Sequence, residues 1–346
     1  MDPLADNFPP ISHRVRGRRV VPLGPAETAP PPQISLPEEW EPRDPEFDGP
    51  KDRRTAGRGR RPADRPRRPR RRGRVRRVLK VTGIVVVVAF VASILTAIAY
   101  NWITPPRTSY MLQAGEPTVY QYVSLDHISR NTIAAVIAHE DEELGSRVGA
   151  FTEADFQARA QAFIDGQPDP SGSTVPQQLV KNIFLWPSHD ALRKAIEAPL
   201  SEEFDLLLPK QRITELYLNY AQFGPKLFGI CAASWYYYNT PPSQLNTYES
   251  AQLMGVLPDP DNVRRAPGGG LDISSKADPM AVDLINGAAN VWLPRQLAGM
   301  GGWQAAVATI GIKDEASAHA ATEGGPDGCS AMPQSVTERL KSEGAK

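Results

Sequence analysis

Three short clusters in the chain carry side chains that could transfer a proton or bind a phosphate group. Positions 138–143 read AHEDEE, positions 171–182 read SGSTVPQQLVKN and positions 193–197 read RKAIE. Carboxylates such as Glu140 and Glu197 can act as general bases, and fixed cations stabilise negative charge that develops during a reaction. The clusters therefore contain the residue types needed for acid–base chemistry on a substrate that carries phosphate.

Helical spacing decides whether these side chains can meet. Lys181 follows Gln177 by four positions and Gln178 by three, so all three can project from neighbouring faces of one helix. Arg193 and Glu197 are also four positions apart and share a face. Each cluster alone has an ordinary alternative: a solvated acidic helix end, a polar helix face, or a surface ion pair worth at most about 0.5 kcal/mol.

Taken together and in order, the clusters resemble a known family. The stretch SGSTVPQQLVKNIFLW closely resembles the signature of the peptidoglycan glycosyltransferases, the lysozyme-like family found in bifunctional penicillin-binding proteins and in monofunctional enzymes. Four other stretches resemble the family's first, third, fourth and last motifs: AVIAHEDEEL, RKAIEAPL, KQRITELYLNYAQFG and LNTYESAQLMGVLPDP. The likeness covers residues 123–262, and no transpeptidase domain fits in the remainder, so we expect a monofunctional enzyme.

The resemblance implies an inverting transfer that polymerises lipid II in cell-wall biogenesis and releases polyprenyl pyrophosphate. It implies two catalytic carboxylates, Glu140 as the base for the attacking hydroxyl and Glu197 as the second. Lys181 and Arg193 match the positions that contact the pyrophosphate. The substrate-binding positions that the motifs imply are Asp141, Ser173, Thr174, Gln177, Gln178, Lys181, Asn182 and Arg193.

The same resemblance implies partners for the protein. Lipid II and the growing lipid-linked glycan chain are the expected substrates, and divisome or penicillin-binding proteins are candidate protein partners. No metal ligand is assigned, although the family permits a divalent cation, magnesium or manganese, beside Glu197. No nucleic acid is expected, because membrane topology and lipid headgroups explain the arginine-rich run more simply than polyanion binding does.

Several positions depart from the family's motifs. Leu144 and Arg147 stand where the first motif usually has Phe and His, and Pro176 stands where the second has Thr or Ser. Pro199 lies inside the predicted third-motif helix, which it should kink or end early. Two alternatives therefore stay open: a catalytically weak scaffold that binds lipid II in the cell-wall machinery, and a lysozyme-like enzyme that cleaves glycan. The paired basic residues count against the second.

The rest of the chain must position these clusters at their substrate. Residues 1–77 are rich in proline and arginine and poor in aliphatic side chains, which predicts a disordered cytoplasmic tail. Residues 78–103 contain a charge-free stretch that is long enough to cross a bilayer as one helix. The arginines before it predict a single-pass inner-membrane protein with a cytoplasmic N-terminus and a periplasmic, extracytoplasmic catalytic domain.

A mainly α domain is predicted for residues 104–313, and the resemblance implies that its fold is lysozyme-like. Residues 314–346 are predicted to be a flexible tail. Ser173 is the expected cap of one helix, and Asn246 with Glu249 form the expected capping box of another. Apolar spacing and these signals predict helices at 131–143, 156–164, 173–185, 190–208, 210–220, 229–238 and 246–257.

The two cysteines, Cys231 and Cys329, form neither a CxxC pair nor a zinc-binding pattern. A disulfide between them is permitted if the domain is extracytoplasmic. The favoured interpretation is a buried free thiol at Cys231 and an unpaired thiol at Cys329 in a loose tail.

Overall fold

A computed structural model describes most of the chain after residue 70. The described residues are 71–167, 172–188, 191–313 and 327–345. Most of the predicted disordered tail, residues 1–70, lies outside the described residues. The described part of the chain is mostly helical, which confirms the predicted fold class.

The first helix, α1, extends from Arg71 to Ala99. Its part from Val75 to Ala99 is long and apolar enough to cross a membrane, by length and composition. Residues 71–77, predicted to belong to the disordered tail, are helical. Arginine is a good helix former, so the basic segment extends the apolar helix by about two turns.

The C-terminal end of α1 packs against the folded domain. Ala97 is fully buried, and the Tyr100 ring meets the Phe204 ring edge to face, with 5.3 Å between ring centroids. Arg212 Nε donates to the Tyr100 carbonyl at 2.8 Å. The last turn of the apolar helix therefore belongs to the packing of the domain.

The central part of the domain is built from helices that match the seven predicted ones, preceded by a short helix. They are α2 Ser109–Ala114, α3 Arg130–Glu140, α4 Glu153–Ile164, α5 Val175–Phe184, α6 Ala191–Leu207, α7 Lys210–Tyr220, α8 Ile230–Tyr238 and α9 Thr247–Val256. Three helix ends differ from the prediction by two residues or more. Helix α4 begins at Glu153, three residues before the predicted start. Helix α3 ends at Glu140 rather than Glu143, and Thr174 rather than Ser173 is the N-cap of α5.

Capping hydrogen bonds explain where two of these helices begin. Thr152 Oγ1 accepts from the Asp155 backbone N at 3.0 Å at the start of α4. Asn246 Oδ1 accepts from the Glu249 backbone N at 2.9 Å, and Glu249 Oε2 accepts from the Asn246 backbone N at 3.1 Å. These two bonds confirm the predicted capping box of α9.

Pro199 lies in the middle of α6, which continues to Leu207. Of the two outcomes predicted for Pro199, a kink or an early end, the early end is wrong. Proline removes one backbone hydrogen bond, but packing against α1 and α5 maintains the helix on both sides of it. The Ser201 hydroxyl lies 2.8 Å from the Glu197 carbonyl and 2.9 Å from the Ala198 carbonyl, close to the interruption.

A small sheet accompanies the helices, consistent with the scarcity of strand patterns in the sequence. Its strands are β1 Val119–Tyr120, β2 Gln222–Gly224 and β3 Leu227–Phe228, in the order β1-β3-β2. Strand β3 is parallel to β1 and antiparallel to β2. The sheet therefore links the segment before α3 to the segment between α7 and α8.

The segment after residue 271 adds helices to the domain. They are α10 Pro279–Gly287, α11 Leu293–Met300, α12 Trp303–Thr309 and α13 Gln334–Ser342, with a π-helical turn at Ala288–Trp292. Helices α9, α11 and α12 all pack against α3. Ile133, Val136 and Ile137 of α3 are consequently fully buried.

Two predictions about the C-terminus are wrong. Cys231 and Cys329 form a disulfide with 5.9 Å between their Cα atoms, so neither is a free thiol. Of the predicted flexible tail, residues 314–326 and 346 lie outside the described residues. Residues 327–345 are not a flexible tail, because α13 packs on α8. The Arg339 guanidinium lies 4.5 Å from the centre of the Tyr236 ring and donates to the Pro225 carbonyl at 2.7 Å.

Candidate active site

Glu140 is the last residue of α3, and side chains of two other helices orient its carboxylate. Gln178 Nε2, on α5, donates to Glu140 Oε2 at 2.8 Å, and the Tyr217 hydroxyl, on α7, lies 3.4 Å from the same oxygen. Among the described residues, no donor makes a hydrogen bond to the other oxygen, Oε1. The carboxylate is thus oriented through one oxygen, while the other can accept a proton.

Tyr217 contributes a neutral hydroxyl to this network. Burial raises the pKa of Tyr217 well above its ordinary value, and the nearby Glu140 carboxylate raises it further. The hydroxyl also lies 3.1 Å from Gln178 Oε1, and Gln178 Nε2 donates to the Ser173 carbonyl at 3.1 Å. Tyr217 and Gln178 therefore form an uncharged support for Glu140.

The first turn of α5 sets the position of Gln178. The Thr174 backbone N donates to Gln177 Oε1 at 2.9 Å, which caps the helix. Pro176 lies in this turn, where a backbone N–H has no partner within the helix. Gln177 is buried, and its Nε2 lies 3.5 Å from Glu197 Oε1, so the cap also touches α6.

Glu197 lies on α6 and is only 1 % exposed, in contact with two cations. Arg193 Nη1 donates to Glu197 Oε2, and Lys194 Nζ donates to Glu197 Oε1 at 2.8 Å. The alternative of a surface ion pair is therefore wrong, because Arg193 is 2 % exposed as well. Breaking such a buried pair leaves an uncompensated charge, which is strongly destabilising.

Lys181 lies on α5, about one turn after Gln177 and Gln178, which contact Glu197 and Glu140. Burial is the main cause that lowers the pKa of Lys181. The negative charges of Glu197 and Glu140 oppose this shift, and the positive charges of Arg193 and Lys194 add to it. One ammonium group thus interacts with both predicted catalytic carboxylates and with the other two cations. The structure brings Glu140, Glu197, Lys181 and Arg193 to one cluster, as the sequence predicted.

Asp141 contacts the fold rather than the space beside Glu140. Its two oxygens accept from Arg147 Nη1 and Nη2, each at 2.8 Å, and Oδ2 also accepts from the Val175 backbone N at 3.1 Å. Asp141 has a φ of −160°, which ends α3 three residues before the predicted end. A substrate contact for Asp141 stays a prediction.

The other predicted binding residues separate into two groups. Ser173 Oγ accepts from Lys194 Nζ at 3.3 Å, and Thr174 Oγ1 donates to the Ala150 carbonyl at 3.1 Å, so both lie at the border of the cluster. Asn182 is buried, and its Nδ2 lies 3.5 Å from the Tyr220 carbonyl. Asn182 therefore lies in the packing between α5 and α7.

The donor set around Glu197 does not fit a metal ion held by the protein. Both Glu197 oxygens already accept from cations. Within the described ranges, no group of three or more His, Cys, Asp or Glu side chains could hold a metal. We therefore assign no step to magnesium or manganese.

The sequence did not single out three residues of this region. Lys194 could have been found, because it lies three positions before Glu197 and thus on a neighbouring face of the helix. Tyr217 carries no local signal, since its partners Glu140 and Gln178 are distant in sequence. Tyr110 is similar: its ring centre lies 5.9 Å from Lys181 Nζ.

This combination of side chains defines a class of protein before any relative is considered. A helical domain that sets a proton-accepting carboxylate beside several cations is suited to transfer a group from a negatively charged leaving group.

Comparison with known proteins narrows that class to a family. A family model described as Transglycosylase matches residues 108–271. Biosynthetic peptidoglycan transglycosylases of Pasteurella multocida, Shewanella frigidimarina and Rhodopseudomonas palustris are 38%, 36% and 35% identical over 183, 162 and 201 residues. These matches cover 50%, 47% and 57% of this chain and 73%, 71% and 84% of the relatives. The chain belongs to the monofunctional peptidoglycan transglycosylase family, enzymes of glycan polymerisation in cell-wall synthesis.

Proposed function

We propose that the protein polymerises lipid II into glycan strands by an inverting transfer that releases polyprenyl pyrophosphate. The observation that carries this proposal is that Gln177 and Gln178, consecutive residues of α5, contact Glu197 and Glu140 respectively. This places the Glu140 carboxylate, with one oxygen available for a proton, beside the ion pairs of Glu197. Such a transfer needs a base for the attacking hydroxyl and positive charge for the leaving group, and the cluster contains both. The base serves the attacking hydroxyl, and the cations serve the leaving group.

Glu140 starts the reaction at the acceptor sugar. Its Oε1 takes the proton of the 4-hydroxyl of an incoming lipid II, whose oxygen attacks the anomeric carbon of the lipid-linked chain. The new bond forms as the bond from that carbon to the pyrophosphate oxygen breaks, so the configuration inverts. The proton remains on Glu140, and the electron pair leaves with the pyrophosphate.

The cations stabilise the charge that the leaving group gains. Lys181 and Lys194 are compact point charges, and Lys194 is partly exposed, with 34% of its side chain accessible. Arg193 is held by Glu197 and by the Ser188 carbonyl, so it acts from a fixed position. Glu197 keeps these mutually repelling cations together, which preorganises the site for a diphosphate.

The proposal includes a topology for the chain in a bacterial inner membrane. Helix α1 crosses the membrane once, the N-terminus is cytoplasmic and the catalytic domain is outside. The arginines before the apolar segment support this orientation, and the disulfide between Cys231 and Cys329 suits an oxidising compartment. An anchored domain meets its polyprenyl-linked substrates at a raised effective concentration.

The test uses the full-length protein in detergent with purified lipid II. We expect glycan strands that lengthen with time on a gel, with one polyprenyl pyrophosphate released for each disaccharide added. A control transglycosylase of this family verifies the conditions. Lipid II binding without polymer would indicate a scaffold, and release of muropeptides from purified sacculi would indicate a glycan-cleaving enzyme; either result contradicts the proposal.

A further inference from the structure

The loop that follows Glu140 contains a buried ion pair outside the cation cluster. Arg147 and Asp141 make two parallel hydrogen bonds of 2.8 Å, and their side chains are 6% and 3% exposed. A bidentate pair fixes direction as well as distance, because the planar guanidinium matches the two carboxylate oxygens. Arg147 Nε also donates to the Gly149 carbonyl at 2.9 Å, so the guanidinium is held on a third side.

This pair connects the loop to the helix that supports Glu140. Asp141 Oδ2 accepts from the backbone N of Val175, the first residue of α5, while Asp141 itself directly follows Glu140. Helix α5 carries Gln178, which orients Glu140, and Lys181 one turn further along. The carboxylate of Asp141 thus joins the end of α3 to the start of α5.

Further contacts fix the far end of the same loop. The Ala150 backbone N donates to Glu202 Oε2 at 2.8 Å, and Thr174 Oγ1 donates to the Ala150 carbonyl at 3.1 Å. Gly149 has a φ of +87°, and an added Cβ would lie 2.4 Å from Glu202 Oε1. The loop therefore contacts both α5 and α6, and the ion pair between Arg147 and Asp141 connects it to the end of α3.

We propose that Arg147 is a positioning residue, which holds Asp141 against the first turn of α5 and thereby sets Glu140 relative to Gln178 and Lys181. This inference rests on the proposed function, because it concerns the geometry of the same base. The observation that motivates it is that the Asp141 carboxylate accepts hydrogen bonds both from Arg147 in the loop and from the Val175 backbone N of α5. A misplacement of about 1 Å at a reacting group can cost roughly 100-fold in rate.

A permanent positive charge suits this role. The acidic groups that face Arg147 are Asp141, Asp205 and Glu143; Asp205 also pairs with Lys210 at 2.6 Å. A guanidinium stays protonated throughout the working range of pH, whereas histidine, the residue common here in the family's first motif, titrates near pH 6.5 when unperturbed. The same acidic neighbours would raise the pKa of a histidine at this position.

The experiment compares Arg147→His, Arg147→Lys and the matched control Arg339→His. Arg339 also pairs with a glutamate, Glu343, but lies on α13 away from the cluster. Polymerisation rates with saturating lipid II are measured between about pH 6 and pH 9, a range that includes a raised histidine pKa, and each is divided by the wild-type rate at that pH.

We expect the relative rate of Arg147→His to fall roughly 10- to 100-fold as pH rises, because the imidazole loses its charge and releases Asp141. Arg147→Lys keeps its charge, so its relative rate should be lowered but constant with pH. Arg339→His should stay near the wild-type rate throughout. A pH-independent relative rate for Arg147→His would overturn the inference while leaving the wild-type activity, and thus the proposed function, intact.

Hydrogen exchange supplies a readout that does not depend on activity. Peptides covering the first turn of α5 are compared between Arg147→Lys, which keeps the charge, Arg147→Gln, which removes it, and the wild type at one pH. We expect faster exchange at Val175 in Arg147→Gln and near-wild-type exchange in Arg147→Lys, because only the latter retains the cation that holds Asp141. Equal protection in all three proteins would overturn the inference even if no variant polymerised lipid II.

Discussion

Glu140 and Glu197 are the same residue type in two different environments. Glu140 is supported by an amide from Gln178 and a phenol from Tyr217, both of which are neutral. Glu197 is buried against Arg193 and Lys194, and both of its oxygens are engaged by cations. The two carboxylates nevertheless belong to one cluster, since the consecutive residues Gln177 and Gln178 contact Glu197 and Glu140.

This difference shows how one cluster can give two glutamates different roles. A proton placed on Glu197 would disrupt its ion pairs, so the residue is suited to organise cations. A proton placed on Glu140 Oε1 disrupts none of the contacts that orient Glu140, so the residue is suited to accept one from a substrate hydroxyl. Substitutions that treat the two carboxylates alike should therefore have unlike consequences.

The largest effect on rate is expected for Glu140→Gln. The amide keeps the shape but cannot take a proton, so the polymerisation rate should fall by about 100- to 10,000-fold while the melting temperature changes little. Glu142→Gln, at an exposed neighbouring acid, is the matched control and should retain activity. Near-normal polymer formation by Glu140→Gln would refute its assignment as the base.

The next effect, for Glu197→Gln, combines lost activity with lost stability. Removing one partner leaves Arg193 buried without its counterion, which should cost about 3 to 5 kcal/mol in the free energy of unfolding. The double variant Arg193→Met, Glu197→Leu replaces the pair with apolar side chains and should recover much of that stability but not the activity. Urea unfolding with a polymerisation assay measures both; a Glu197→Gln protein of wild-type stability would contradict the assignment.

Substitution of Lys181 should have a smaller effect on the polymerisation rate, and the effect should depend on pH. Because burial lowers its pKa, the ammonium should lose its proton below the usual pH for lysine, and the rate should fall as pH rises through that value. Lys181→Arg should move this loss to higher pH, and Lys181→Met should lower the rate about 10- to 100-fold at neutral pH. Lys226→Met serves as a control, since Lys226 donates to the Glu116 carbonyl outside the cluster. If the rate of Lys181→Arg falls at the same alkaline pH as the wild-type rate, the assignment of Lys181 as the cation for the leaving group is contradicted.

Local patterns predicted the elements that carry the site. Lys210–Tyr220 has the predicted bounds, and the Asn246 and Glu249 box forms as expected, because both signals involve residues within one or two turns. The helix face shared by Arg193 and Glu197 was predicted for the same reason. The sequence did not show that this pair is buried, because burial depends on the helices that pack over it.

Contacts between distant segments were the part that the sequence could not supply. Cys231 and Cys329 are 98 positions apart, so their pairing depends on where α8 and the C-terminal segment meet. The end of α3 was predicted too late for a similar reason. Asp141 leaves the helix to accept from Arg147 and from Val175, and the second of these lies 34 positions further along the chain.

The smallest expected effect tests the neutral support of Glu140 directly. Tyr217→Phe removes one hydroxyl and leaves Gln178 to orient the carboxylate, so kcat should fall about 2- to 10-fold, in line with one hydrogen bond. Tyr237→Phe is the matched control: it is equally buried, and its hydroxyl donates to the Phe223 carbonyl at 2.8 Å instead. Both variants should lose similar stability, but only Tyr217→Phe should lose activity. Equal kcat values would mean that the phenol stabilises the fold without orienting the base, and that Gln178 alone distinguishes the surroundings of Glu140 from those of Glu197.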